Sequence, residues 1–271
     1  MLQRGKGKKR MNRNGKINWF VLVCAFLITG CSWTKQFLWM DGDSGTKENL
    51  PIGISELIEM ASYCNDAYEV RPKHYQIRDN ELSYTVKYDN GVTIISFRGT
   101  DNGWNILSDI DVRPWRDDEL GLILHRGFKD TAGYLFSDIR KNYRLDNIVL
   151  LTGHSLGGAI AQIIGLWLDE QGHVVQIYTF GSPKVSTTFL GNTPPHYRVV
   201  IGSDPVPFLP PYPYVHSGIR IDAKTLNWNE SDDYGEFTEV NDNHHSMQEY
   251  LNILKRHTPT RPTTTTNLKG T

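Results

Sequence analysis

The sequence predicts an α/β domain: a mostly parallel central sheet with helices on both faces and an antiparallel hairpin at its N-terminal side. Three observations carry the prediction. Strand-like apolar runs alternate with stretches of helical periodicity from about residue 52 to 256. Two strand-like runs, 82–88 and 92–98, flank Asp89-Asn90-Gly91, a strong hairpin signal because Asn and Gly tolerate positive φ. Ile148-Val149-Leu150-Leu151 leads through Gly153-His154-Ser155-Leu156-Gly157-Gly158 into a second apolar run that begins Ala159-Ile160-Ala161, which is the order strand, sharp turn, helix.

Taken in order, Ile54, Leu57, Ile58 and Ala61 recur at helical spacing and predict an amphipathic helix over about 53–68. The hairpin follows. Residues 99–121 read as irregular, 122–126 as a short strand and about 127–142 as a helix. The strand entering the glycine-rich turn spans about 147–152 and the helix leaving it about 157–171. Val174–Phe180 and Tyr197–Ile201 are buried strands. Beyond 202 the chain is rich in proline and aromatics, with a strand near 216–221 and a last helix over about 245–256. Residues 51–257 form one domain, and the Thr- and Pro-rich tail 258–271 cannot pack.

A length of 271 residues suits one such domain with a full core, and 39% apolar with 22% charged residues is ordinary for a soluble enzyme. The net charge of −1 hides an asymmetry: seven of the 29 basic residues and none of the acidic ones lie in 1–30. The remainder sets 22 basic against 30 acidic residues, a net of −8, which argues against a nucleic-acid partner. The basic leader runs into an apolar stretch of 12 residues, Ile17 to Ile28, too short to span a bilayer comfortably, so 1–30 reads as a signal peptide. A start at Met11 gives it a more usual length. Its end, Ile28-Thr29-Gly30-Cys31, resembles the lipobox of bacterial lipoproteins. That resemblance implies lipidation of Cys31, a membrane anchor, and 31–50 as a polar tether. Ser32 lacks the aspartate that often retains lipoproteins in the inner membrane, which points to the outer membrane of the cell envelope; plain secretion and an uncleaved anchor are the other readings. Cys24 leaves with the leader, so no internal disulfide is available, and Cys64 reads as a buried structural thiol.

A serine at the apex of a strand–turn–helix is the nucleophile elbow, G-x-S-x-G, with the hydroxyl exposed above a helix N-terminus. It points to a serine hydrolase, in which an imidazole must take the hydroxyl proton and a carboxylate must orient the imidazole. In this order acid and histidine both lie downstream. Among Asp169, Glu170, Asp204, Asp222, Glu230, Asp232 and Asp233, most belong to helix surfaces or polar loops; Asp204 differs by directly following the apolar run 197–202, at the end where α/β enzymes place site residues. Of the downstream histidines, His244 and His245 stand just before the last helix, where a loop can reach over the sheet's end. Adjacent histidines in an extended segment point opposite ways, and no acidic residue at ligand spacing completes a site, so no metal and no cofactor is expected. Upstream, Ser96-Phe97-Arg98-Gly99-Thr100 closes a strand with a glycine and a hydroxyl; with the N–H of Leu156 it would supply oxyanion donors.

Six landmarks fall in the order seen in class 3 lipases, the fungal-lipase-like α/β-hydrolases, over about 52–256: Phe97-Arg98-Gly99-Thr100; His125-Arg126-Gly127-Phe128; Gly153–Gly158; Gly181-Ser182-Pro183-Lys184-Val185; Asp204-Pro205-Val206-Pro207; and His245-Ser246-Met247 ahead of Tyr250. The resemblance implies the α/β-hydrolase fold, a Ser155–His245–Asp204 triad and an oxyanion hole from Thr100 and Leu156. It chooses His245 over His244, makes His125 structural, pairs Arg98 with Asp109, and makes Asp101–Leu120 a lid, with Trp104, Ile106, Leu107, Ile110 and Trp115 as its apolar residues. The alternative for that stretch is a surface loop anchored by its aromatics. His154 reads as packing, its side chain turned away from the nucleophile. Pro205–Tyr214, with Phe208, Leu209, Tyr212 and Tyr214, lines an acyl pocket or is rigid packing. The implied partner is a lipid or acyl-ester substrate, with phospholipids, small soluble or feruloyl esters, and a non-catalytic surface lipoprotein as the rival readings; nothing in the sequence fixes an oligomeric state.

Overall fold

The computed structural model describes residues 43–69, 75–77, 80–100, 111–230 and 241–258. The chain forms strand β1 (Ser44–Gly45), helix α1 (Ile54–Glu69), strands β2 (Tyr75–Ile77), β3 (Asn80–Leu82), β4 (Tyr84–Asp89) and β5 (Val92–Phe97), then β6 (Pro114–Arg116) and β7 (Ile123–His125). Helix α2 (Arg126–Asn142), β8 (Ile148–His154), α3 (Leu156–Glu170), β9 (Val174–Phe180), β10 (His196–Val200), β11 (Ile219–Asp222), β12 (Trp228–Asn229) and α4 (Met247–Lys255) complete it. The principal sheet has eight strands in the order β1-β12-β11-β10-β9-β8-β5-β4. Its middle, β5-β8-β9-β10-β11, is parallel. The expected hairpin closes one edge: Asp89 pairs with Val92, and Asn90 (φ 48°) and Gly91 (φ 81°) both adopt the left-handed region that a two-residue hairpin turn requires.

The sequence did not reveal the other edge. β12 returns antiparallel to β11, and Ser44–Gly45 pairs antiparallel with it. Residues 43–50 are therefore not free tether. Thr46 and Asn49 close a capping box around a short 3-10 turn, and the Trp228 indole N–H donates to Asn49 Oδ1 at 3.3 Å. Within 99–121, expected to be irregular, Pro114–Arg116 pairs with Ile123–His125 as a small antiparallel ribbon. The signal peptide 1–30, Cys31 with its lipid, and the tail from 259 onward lie outside the described residues, as does the tether up to residue 42. Among the described residues no helix is long and apolar enough to cross a membrane.

The sheet has a core on each face. Along β8, Val149 and Leu151 point to α2 and α3, where they meet Phe128, Leu135, Ile139, Ile160 and Ile163. Alternate residues of β9 and β10, among them Tyr178, Phe180, Tyr197 and Val199, face α1 and α4 with Leu57, Met60, Cys64, Tyr250 and Leu254. Helix α3 is buried over Leu156–Leu168, which is why its sequence is apolar all round. Burial pushes the Cys64 thiol far above its ordinary pKa, in keeping with a structural role.

Candidate active site

The parallel strands end at one side of the sheet, and four polar turns leave there: Gly99-Thr100 after β5, Ser155 after β8, Gly181 after β9 and Ser203-Asp204 after β10. Ser155 has φ 55° and ψ −130°, a strained conformation for a residue with a side chain. The turn around it is held by close backbone approach. A Cβ on Gly153 would overlap the Gly157 carbonyl, and one on Gly157 would overlap the Phe97 and Arg98 carbonyls. The Ser155 N–H donates to the Phe180 carbonyl of β9 at 3.0 Å, which fixes the turn to the neighbouring strand.

His245 enters from the far side of the sheet on a 3-10 turn, Asp242–His245, that runs into α4. Its Nε2 lies 2.8 Å from Ser155 Oγ, and its Nδ1 lies 2.9 and 3.0 Å from the two Asp204 carboxylate oxygens. Asp204 stands two strands from Ser155, so the imidazole must bridge over the end of β9. Gly181 (φ 55°) is what lets it pass: a Cβ there would crowd Asp204 Oδ2, the Tyr250 hydroxyl and His245 Nδ1. Asp204 is fully buried and is further held by the Val206 N–H at 2.9 Å and the Tyr250 O–H at 2.6 Å. Burial, then the Asp204 charge, pushes the Tyr250 phenol well above its usual pKa, so it remains a donor.

Thr100 Oγ1 is buried and, among the described residues, has no hydrogen-bond partner. The Leu156 N–H opens α3 and has no acceptor within the helix. Both sit at the strand ends flanking Ser155. His154 faces α1, away from the α3 side, and accepts from the Tyr68 hydroxyl at Nδ1, 2.6 Å away; Tyr68 in turn accepts from the Gly99 N–H at 3.0 Å. The His154 ring packs 4.6 Å from the His245 ring, centroid to centroid, a contact the packing reading did not include. Burial, and then the nearby His245, holds His154 well below the usual imidazole range, which favours its neutral form. Its Nε2 is buried without a well-formed hydrogen bond.

The other histidines are engaged elsewhere. His173 bonds to the Asp146 carbonyl, His196 to Thr179, His216 to the Pro207 carbonyl and His257 to the Ala223 carbonyl. His125 caps α2 by accepting from the Phe128 N–H at 3.3 Å, and burial lowers its pKa to about 4. His244 and His245 lie on a tight turn, not in the extended segment expected. Among the described residues no group of His, Cys, Asp and Glu is arranged to hold a metal ion.

Of the stretch expected to be a lid, 101–110 lies outside the described residues, together with Asp109, the partner expected for Arg98. Its second half is anchored to the domain. Asp117 is buried and accepts from the Trp167 indole N–H at 3.2 Å; Asp111 accepts from Arg113; and the Arg126 guanidinium covers the half-exposed Trp115 ring at 4.6 Å. In Pro205–Tyr214, Val206 and Leu209 pack into the α2–α3 core, the Tyr214 hydroxyl donates to the Val112 carbonyl at 2.6 Å, and Tyr212 is 90% exposed. Val206, Leu209 and Tyr214 thus pack against the domain, and Tyr212 lies at its surface.

An eight-stranded, mostly parallel sheet with helices on both faces and a serine elbow at its C-terminal side defines an α/β-hydrolase. Residues 94–214 match the family described as lipase (class 3). The secreted mono- and diacylglycerol lipase 1 of Fusarium solani is 33% identical over 130 residues, 44% of this chain and 39% of that protein. The lipase of Rhizomucor miehei is 31% identical over 144 residues, 46% of this chain and 39% of its own length. The chain thus spans about two fifths of the curated relatives it matches. In structure, lipase II from Rhizopus niveus superposes with a TM-score of 0.58 at 21% identity, covering 75% of this chain and 95% of that one. The Rhizomucor miehei triacylglyceride lipase gives 0.54 at 22% identity, over 75% and 95%. These likenesses establish the fold.

Proposed function

We propose that this protein is a serine carboxylic ester hydrolase, a lipase that cleaves acyl esters of glycerolipids. The observation that carries the reading is the continuous hydrogen-bonded line from Ser155 Oγ through His245 to Asp204. Ser155 Oγ attacks the ester carbonyl while His245 Nε2 takes its proton. The carbonyl oxygen becomes an oxyanion that the Thr100 hydroxyl and Leu156 N–H would receive. Collapse expels the alcohol, which takes the proton back from His245 and leaves Ser155 acylated. Water, deprotonated by His245, then attacks the acyl carbon and releases the acid and the free serine. Asp204 holds the imidazole tautomer and offsets its charge throughout.

The substrate class rests on the family and on relatives described as lipases, one of them as acting on mono- and diacylglycerols. The leader and Cys31 support a lipid-anchored location in the cell envelope, which puts the domain at a membrane surface where such esters occur. The test uses the leader-free protein with p-nitrophenyl butyrate, tributyrin, triolein and phosphatidylcholine. Hydrolysis of the glycerides is expected, together with its complete loss in Ser155→Ala at an unchanged circular dichroism spectrum. Full activity in that variant would refute the assignment. Turnover of phosphatidylcholine alone, or of small esters alone, would move the substrate class to phospholipids or soluble esters.

A further inference from the structure

Two rungs join the turn bearing Asp204 to the turn bearing His245. One is the Asp204–His245 pair itself. The other lies one residue back on each side, where Ser203 Oγ and His244 Nδ1 share a short hydrogen bond. Backbone bonds brace it: the Asn241 N–H donates to the Ser203 carbonyl at 3.0 Å, and the His244 N–H to the Asn241 carbonyl at 2.9 Å. The Asn241 side-chain amide reaches His244 Nε2 at 3.4 Å. With Nε2 accepting there, Nδ1 carries the proton and donates to Ser203. The His244 imidazole is thus occupied at both nitrogens.

We propose that Ser203 and His244 form a positioning latch for the reacting imidazole, an inference that rests on the Ser155–His245–Asp204 reading. A single side-chain bond between two turns acts as a pivot. A second bond, one residue along on each side, stops rotation about it. His245 needs that restraint, because it must keep Nδ1 on Asp204 and Nε2 on Ser155 while its charge changes in every cycle. Tyr250 in the first turn of α4 holds Asp204 itself, while Ser246 at the N-cap makes no side-chain capping bond, so the turn that carries His245 is braced chiefly from Ser203. Small displacements of a reacting group are expensive in rate, so a second rung one residue from the chemistry acts on turnover and not on substrate binding.

The test compares p-nitrophenyl butyrate hydrolysis by the wild-type protein, Ser203→Ala, His244→Ala, the double variant and His244→Asn, with thermal melts alongside. Each single alanine variant is expected to lower kcat about tenfold, with KM within about twofold, as a misplaced base does. The double variant is expected to be no slower than the worse single one, because either change breaks the same rung. His244→Asn, whose amide nitrogen can stand near Nδ1, is expected to recover most of the rate. Wild-type kcat in both alanine variants would overturn the latch, as would losses that multiply in the double variant, or lowered melting points at full kcat per folded molecule. A Ser155→Ala control separates the two levels. If it is inactive while the latch variants are normal, only the latch falls; if it is active, the triad reading falls and takes the latch with it.

Discussion

The two faces of the sheet solve different problems. The α2–α3 face holds Ser155 by packing. Val149, Leu151, Phe128, Leu135 and Ile160 are fully buried and apolar, and the elbow is fixed by carbonyl and glycine contacts that leave no room for a side chain. The α1–α4 face holds Asp204 and His245 by hydrogen bonds. Tyrosines on that face point their hydroxyls at partners: Tyr250 at Asp204, Tyr68 at His154, and Tyr178 at Glu56. A backbone turn can be set once by steric fit, whereas groups that exchange protons need donors and acceptors that hold them in both charge states. The comparison teaches that damage on the first face should appear as loss of fold, and on the second as loss of rate.

The largest expected effect is that of Gly157→Ala. The new methyl would overlap the carbonyls of Phe97 and Arg98, so the elbow cannot close, and soluble expression should yield no active protein. Recovery of normal activity would break the claim that steric fit sets the elbow. Phe128→Ala empties a fully buried site in the α2–α3 core and should cost about 3–5 kcal/mol of stability, read by urea denaturation, with kcat per folded molecule unchanged. Acidification comes next. Burial holds His125 at about 4, and His154, His196 and His216 well below the ordinary range. The unfolded chain therefore binds more protons than the folded one below about pH 6.5, and stability is full above that and declines as pH falls toward 4. Melting temperatures across pH 8 to 4 would show the fall; a flat profile would mean that these imidazoles are not kept neutral. Tyr250→Phe is the mildest change. It removes one bond to a buried carboxylate, and we expect about a tenfold lower kcat, equivalent to about 1.4 kcal/mol, with the fold retained.

What was legible in the sequence follows the same division. The elbow is local: a strand, two glycines, a serine and a helix lie between residues 148 and 170, and each contributes its own signal. Asp204 was legible from its place behind an apolar strand, and the alternation of strands and helices gave the parallel middle of the sheet. His244 and His245 could not be separated without the resemblance, because the choice depends on a one-turn 3-10 segment whose register is set by Ser203 and Asp204, some forty residues away. Tyr250 stood within a recognised pattern, yet its bond to Asp204 is visible only once α4 is laid on the sheet. Tyr68 gave no signal beyond amphipathic spacing on α1. The far sheet edge was hidden for another reason: Ser44–Gly45 and Trp228–Asn229 are two-residue strands, too short to show a period.

That edge has a mechanical consequence. Tension arriving through residue 43 would first meet a two-residue outer strand. Behind it β12, β11 and β10 stand in series before the turn that holds Asp204. A pull from upstream would thus load the rim of the sheet, three strands away from the carboxylate that faces the imidazole.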